Sequence, residues 1–128
     1  MELLLDTHAV IWFITEDSHL PLRTKLIIES VENNCYVSVA TFWEIAIKHS
    51  LGRLNLETNL ENLFQLILSS GFSILPITLS QILENSRLPF HHNDPFDRII
   101  IAQAIHEDFK VISKDGQFEN YQVSLIWD

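Results

Sequence analysis

Apolar residues fall along this chain in short continuous runs separated by stretches of roughly helical spacing. Leu3-Leu4-Leu5 is the first run. Three consecutive leucines suit a strand covered on both faces, because a strand with one wet face alternates apolar and polar positions. Asp6-Thr7 follows, both good N-cap residues, and predicts a short helix over His8–Ile14. Ser18-His19-Leu20-Pro21 opens a second helix through Glu32, with Leu22, Leu26, Ile27 and Val31 spaced to share one face. Cys35–Val39 reads as a second strand, and a helix from Thr41 to Leu51 stops at Gly52.

Thr58 or Asn59 begins a further helix through Ser70, ended by Gly71, and Phe72–Pro76 is a third strand. Thr78 or Ser80 caps a helix to about Arg87, and Leu88–Asn93 is a loop. Asp94-Pro95 starts the next helix with proline in the first turn, where its missing N–H costs nothing, and that helix runs to Glu107. Lys110–Ser113 is a fourth strand, Asp115-Gly116 a turn and Val123–Trp127 a last strand. Strands alternating with helices imply a parallel sheet with both faces covered. Ligands of such sheets bind beyond the carboxyl ends of the strands, so the residues at those ends matter most.

Four acids belong there: Asp6 after the first strand, Asp115 just past the fourth, and Glu44 and Asp97 in the first turns of helices. Each also has a plain structural explanation. Asp6 can cap the helix after it, and Thr41-Phe42-Trp43-Glu44 has the form of a capping box. Asp94-Pro95-Phe96-Asp97 is a related cap favoured by the helix dipole, and Asp115-Gly116 is an ordinary turn pair. As a set they are harder to explain without a cation. Two carboxylates 4 Å apart repel by about 1 kcal/mol in water and about 4 kcal/mol at a protein-like effective dielectric. Hard oxygen donors with no thiolate suit Mg²⁺ or Mn²⁺.

Length and composition narrow the field. The chain has 128 residues, 47% of them hydrophobic, which predicts one compact domain over residues 1–128 with a real core. Three glycines and four prolines argue against a fold of many tight turns. Cys35, the lone cysteine, has no partner for an internal disulfide and reads as an inert core thiol. The opening Met1–Asp6 lacks a basic n-region, and no apolar stretch approaches the ~20 residues that span a bilayer, so a cytoplasmic protein away from membranes is expected. Eight Lys and Arg against 17 Asp and Glu give a net charge of −9. That is awkward for a nucleic-acid enzyme, and it requires a confined basic rim or a partner that brings positive charge.

Four ordered segments resemble the PIN domain, and more closely the VapC-type toxins of bacterial toxin–antitoxin pairs: LLLDTHAVIW (3–12), SVATFWEIAIKHSLGRL (38–54), LPFHHNDPFDRIIIAQA (88–104) and VISKDGQFENY (111–121). The ending YQVSLIWD belongs to the same likeness, which runs the whole chain. The resemblance implies a three-layer α/β/α fold around a central parallel sheet of four to five strands. It also implies Mg²⁺- or Mn²⁺-dependent endoribonuclease activity: in-line attack of metal-activated water on an RNA phosphodiester, leaving 5′-phosphate and 3′-hydroxyl ends. Asp6, Glu44 and Asp97 match the main metal ligands, and Asp115 a supporting or second-metal ligand. Thr7 matches the hydroxyl residue after the first acid, and Ser113 stands where many relatives have threonine. The expected partners are a cognate antitoxin whose Arg or Lys reaches the carboxylates, an RNA substrate and a second copy of the chain. A binding module with a weak or lost active site is the alternative.

Other residues carry less. Asp94, directly before Pro95, reads as an N-cap that sets the helix aiming Asp97, rather than as a ligand. Adjacent His91 and His92 cannot easily face one ion, and suit a solvated or substrate-edge position. Lys48, four residues after Glu44, is placed for a helical ion pair, with RNA contact as the other reading. Arg98 is a candidate for the basic rim and RNA contact, balanced against a structural salt bridge. Trp12, Phe13, Phe42 and Trp43 suit a core or a subunit interface, with base stacking the less favoured reading. A haloacid-dehalogenase phosphatase needs an acid where His8 stands, and a phospho-receiver domain needs another order of acids.

Overall fold

The computed structural model describes residues 1–55 and 57–128. Among them, five strands alternate with six α-helices. The strands are β1 (Glu2–Leu5), β2 (Asn34–Ser38), β3 (Ser73–Leu75), β4 (Lys110–Ile112) and β5 (Leu125–Ile126). The helices are α1 (Thr7–Ile14), α2 (Leu22–Glu29), α3 (Val39–Ser50), α4 (Leu60–Ser69), α5 (Leu79–Ser86) and α6 (Pro95–Glu107). A 3₁₀ turn covers Gly116–Asn120.

Every strand pairing is parallel, in the order β3-β2-β1-β4-β5. Successive strands step one way from β1 to β3 and the other way from β4 to β5. The order therefore reverses between β1 and β4, and the crevice beyond their carboxyl ends is the switch point at which such sheets bind ligands. The leucine run shows why three layers form. Leu3 and Leu5 point into one core with Ala9, Val10, Ile28, Ile45, Leu63 and Ile67. Leu4, between them, points into the other with Ile100, Ile101, Val111 and Phe118. Side chains alternate across a strand, so a run of leucines is stable only when both faces are dry. The α/β/α architecture expected from the sequence is the one found.

Three local expectations are corrected. Helix α2 ends at Glu29, short of Glu32, and its buried positions are Thr24 and Ile28. Leu22, Leu26 and Val31 are exposed. The Thr24 hydroxyl faces inward because it donates to the Trp127 carbonyl at 3.1 Å. Helix α3 begins at Val39, capped by Ser38 rather than Thr41, with the Ser38 Oγ accepting from the Ala40 N–H at 3.0 Å. Glu44 consequently lies in the second turn and takes no part in a capping box. Val39 and Ser113 fall just outside the strands that were expected to contain them.

Helix α6 follows its expected bounds, and residues 98–104 are buried without interruption. A helix buried all round makes a rigid mount for a side chain in its first turn. Cys35 is buried as expected, and burial pushes its thiol up to about 11, which keeps it protonated and unreactive.

Candidate active site

Asp6 follows β1 directly, and its backbone N–H continues the sheet pairing to the Ile112 carbonyl at 3.0 Å. Its side chain caps α1, with Oδ1 accepting from the Ala9 N–H at 2.9 Å. The second oxygen, Oδ2, accepts from Ser113 Oγ at 2.6 Å. Capping and facing the switch point are thus one placement, because the N-cap of a helix that follows a strand lies at the strand's carboxyl end. Asp6 is 4% exposed. Burial raises the affinity of its carboxyl for a proton, opposed by the Ser113 and Ala9 hydrogen bonds and by His8, and reinforced by Asp115.

Glu44 is also buried. Oε1 accepts from Thr7 Oγ1 at 2.6 Å, and Oε2 accepts from Lys48 Nζ at 2.7 Å, the i,i+4 ion pair that the spacing suggested. Thr7 Oγ1 lies 3.2 Å from Thr41 Oγ1. Since Thr7 gives its one hydrogen to the carboxylate, Thr41 must be the donor in that contact. Thr41 is a residue the sequence misassigned to a helix cap; it is fully buried and stands behind Thr7.

Asp97 occupies the first turn of α6. Asp94 caps that helix through Oδ1, which accepts from the N–H groups of Phe96 and Asp97, both at 2.9 Å. This is the bracing arrangement expected of Asp94. The Asp97 carboxyl is pushed up to about 8, first by burial and then by the charges of Asp94, Asp6, Glu44 and Asp115. The charges of the other three sequence-picked acids therefore act on Asp97 in one direction, toward protonation. Asp115 caps the 3₁₀ turn, accepting from Gln117 N–H at 2.9 Å, and its own N–H donates to Ser113 Oγ at 3.0 Å. Asp6 and Asp115 share a cleft of ≈ 410 Å³ with His8, Trp12, Lys114 and Gly116.

Arg98 does not join this region, and the basic-rim reading is corrected. It is buried, and its guanidinium donates to the carbonyls of Asn85, Leu88 and Pro89 and to the Tyr121 hydroxyl. Its carbon centre lies 4.0 Å from the centroid of the Phe90 ring. Five donors in a rigid fork suit a loop that presents several carbonyls, and this use turns the charge inward. His92 differs from expectation too. Its side chain is only 9% exposed, with Nε2 3.7 Å from Asp97 Oδ2 and Nδ1 2.9 Å from the Tyr121 hydroxyl. No local pattern announces the tyrosine contact, because Tyr121 is 29 residues away.

Among the described residues, no three His, Cys, Asp or Glu side chains stand close enough to enclose a metal ion together. The donor set nonetheless fits Mg²⁺ or Mn²⁺. All of its atoms are hard oxygens, and Asp97 is driven toward protonation first by burial and then by the negative charge around it. Lys48 already sets a cation on Glu44. Mg²⁺ typically keeps several waters and takes only one or two carboxylates directly, so an open set of acids does not disqualify it.

The sequence profile of the PIN domain family matches residues 3–123. The fold is shared with a chain of VapBC2 from Rickettsia felis, solved bound to a DNA fragment from their promoter, at a TM-score of 0.75 and 15% identity over 100% of each chain. FitAcB from Neisseria gonorrhoeae gives a TM-score of 0.70 at 22% identity, covering 97% of this chain and 96% of that one. VapBC-1 from nontypeable Haemophilus influenzae gives 0.69 at 16%, covering 98% and 97%. No curated protein sequence matches the chain.

Proposed function

The chain belongs to the PIN domain family, and from that premise we propose that it is a metal-dependent endoribonuclease acting as the toxin of a toxin–antitoxin pair. The observation that carries this reading is the tie of Asp6 to Asp115 through Ser113 at the β1–β4 switch point, in a chain that matches the PIN family model. Asp6, Glu44 and Asp97 are the main candidates to hold Mg²⁺ or Mn²⁺, with Asp115 in support. A divalent ion bound there would supply Lewis-acid activation of water and stabilise charge developing on the phosphodiester.

The chain's own residues prepare for that chemistry. Ser113 and the Ala9 N–H fix both oxygens of Asp6, Thr7 and Lys48 fix those of Glu44, and Asp94 sets the turn that carries Asp97. Asp97 itself is left without a close hydrogen-bond donor among the described residues, free to take a cation. The whole chain, residues 1–128, acts as one catalytic domain on RNA.

The proposed partner is an antitoxin. Among structures of the same fold, one is described as a toxin–antitoxin complex, one as bound to a promoter DNA fragment and one as bound to an IR36 DNA fragment. A cationic antitoxin side chain placed among these carboxylates would take the metal's electrostatic place. A second copy of the chain is the other proposed partner. Trp43, Leu79, Ile82 and Leu83 are exposed, and Trp43 and Ile82 line an apolar groove with Ala40, Ile77, Phe96 and Ile99. Apolar patches of that kind mark contact surfaces. Among the described residues no helix is long and apolar enough to cross a membrane.

The test is to incubate the purified chain with RNA in Mg²⁺ and, separately, in chelator, and to identify the chemical ends of any fragments. Internal cleavage that needs the metal and leaves 5′-phosphates is expected. RNA left whole in both Mg²⁺ and Mn²⁺ by a folded chain contradicts the proposal and favours a module that acts by binding alone.

A further inference from the structure

A buried polar chain runs from Arg98 to the edge of the acidic site. Arg98 Nη1 donates to the Tyr121 hydroxyl at 3.3 Å, and that hydroxyl lies 2.9 Å from His92 Nδ1. A guanidinium has no acceptor, so Tyr121 receives that bond. Among the described residues, the one acceptor within reach of the tyrosine's own hydrogen is Nδ1 of His92. A tyrosine that donates there makes Nδ1 of His92 the acceptor, and a neutral ring in that pairing carries its hydrogen on Nε2.

That nitrogen is buried and has no hydrogen-bond partner. It points at Asp97 Oδ2 from 3.7 Å, too far for a hydrogen bond and near enough for one to form with a small side-chain rotation. An unpaired buried N–H has given up its hydration for no partner, so a bond that satisfies it is favoured. Donors around catalytic groups often stand long in the unliganded state and close when the site is filled.

We propose that His92 is a positioning residue for Asp97: the Arg98–Tyr121 pair fixes its tautomer, and its Nε2–H closes on Asp97 Oδ2 to hold that carboxylate in its ligating orientation. The inference rests on the proposed metal-dependent function and adds a residue to it. It also gives Arg98 an indirect part. Its charge, turned away from the surface, anchors the far end of a chain that ends on a site carboxylate. Partners of this kind behind metal ligands commonly change affinity ten- to a hundredfold.

Two readouts test it on the full chain. Nitrogen-15 spectra at a pH where the His92 ring is neutral report which ring nitrogen holds the hydrogen. The Nε2–H form is expected in the unaltered chain, and Tyr121→Phe is expected to lose that preference. A ring protonated at Nδ1 would overturn the proposal. The second readout is calorimetric titration with Mn²⁺ alone. His92→Phe keeps the aromatic volume but no donor, and it is expected to weaken binding about tenfold, whereas His92→Gln, which restores an N–H, recovers most of it. Equal Mn²⁺ affinity in His92→Phe and the unaltered chain would also overturn the proposal. A chain that shows the expected tautomer and Mn²⁺ pattern yet cleaves no RNA would sink the ribonuclease reading and leave this one standing.

Discussion

Ser113 Oγ donates to Asp6 Oδ2 at 2.6 Å and accepts from the Asp115 N–H at 3.0 Å. One hydroxyl thus ties the acid that ends β1 to the acid that follows β4, across the point where the sheet order reverses. Ser113 is 1% exposed, so no water replaces it readily. Ser113→Ala is expected to destabilise the chain by about 1–3 kcal/mol, since a buried carboxylate oxygen loses its donor and a backbone N–H its acceptor. Ser113→Thr keeps the hydroxyl and is expected to lie much closer to the unaltered chain. Urea denaturation checks both, and an unchanged midpoint in Ser113→Ala would contradict this role.

The Asp97 carboxyl gives the metal-free chain a pH dependence of definite sign. It is raised from 3.8 to about 8. Between those values the unfolded chain has released the proton that the folded chain still holds. The unfolded state binds fewer protons over that window, so stability is greatest below about pH 4 for this group and falls as pH rises toward 8. The buried Asp6 carboxyl, also raised, works in the same direction. In chelator, the melting temperature is expected to fall between about pH 5 and 8, and Asp97→Asn is expected to flatten much of that slope. Mg²⁺ is expected to raise the melting temperature more at pH 8 than at pH 5, because ionised carboxylates bind it. A slope that Asp97→Asn leaves unchanged would contradict the account.

Arg98 separates a structural role from direct RNA contact. Its guanidinium serves the Asn85 carbonyl in the last turn of α5 and the Leu88 and Pro89 carbonyls of the loop before α6. Arg98→Ala removes the donor that serves the Leu88 and Pro89 carbonyls and is expected to cost about 3 kcal/mol. Arg98→Lys, a point charge in place of a fork, is expected to recover only part. Loss of a direct phosphate contact would instead lower the salt dependence of RNA binding by about one charge while leaving the denaturation midpoint in place. That outcome would return Arg98 to the surface rim.

How much of this was legible in the sequence depends on the range of each interaction. Strand and helix identities came from local signals: the leucine run of β1, the caps at Asn59, Thr78 and Asp94, and Gly52 and Gly71 ending helices with positive φ. Asp6, Asp97 and Asp115 were legible because they stand just past a strand end or in a helix's first turn, where a parallel sheet places its ligand-binding residues. Glu44 was found for the wrong local reason. Its helix starts two residues before Thr41, so what resembled a capping box is a second-turn carboxylate held by Thr7.

The misses are long-range. The inward turn of Thr24 depends on a carbonyl 103 residues away, which helical spacing of leucines cannot encode. The exposed Leu22, Leu26 and Val31 had the right period and the wrong face. Arg98 and His92 took their places from a loop and from Tyr121, and a charge or a histidine in sequence carries no mark of what it meets.

The central claim, that Asp6 and Asp97 belong to one metal-dependent RNA-cleaving site, is tested most directly by single-turnover cleavage of RNA in saturating Mg²⁺ by the unaltered chain, Asp6→Ala and Asp97→Ala. Each substitution is expected to slow cleavage by about 100-fold or more, the scale of losing a group that stabilises transition-state charge. Both variants are expected to remain folded, since each leaves the hydrophobic cores intact. Cleavage by either variant at the rate of the unaltered chain would contradict the account.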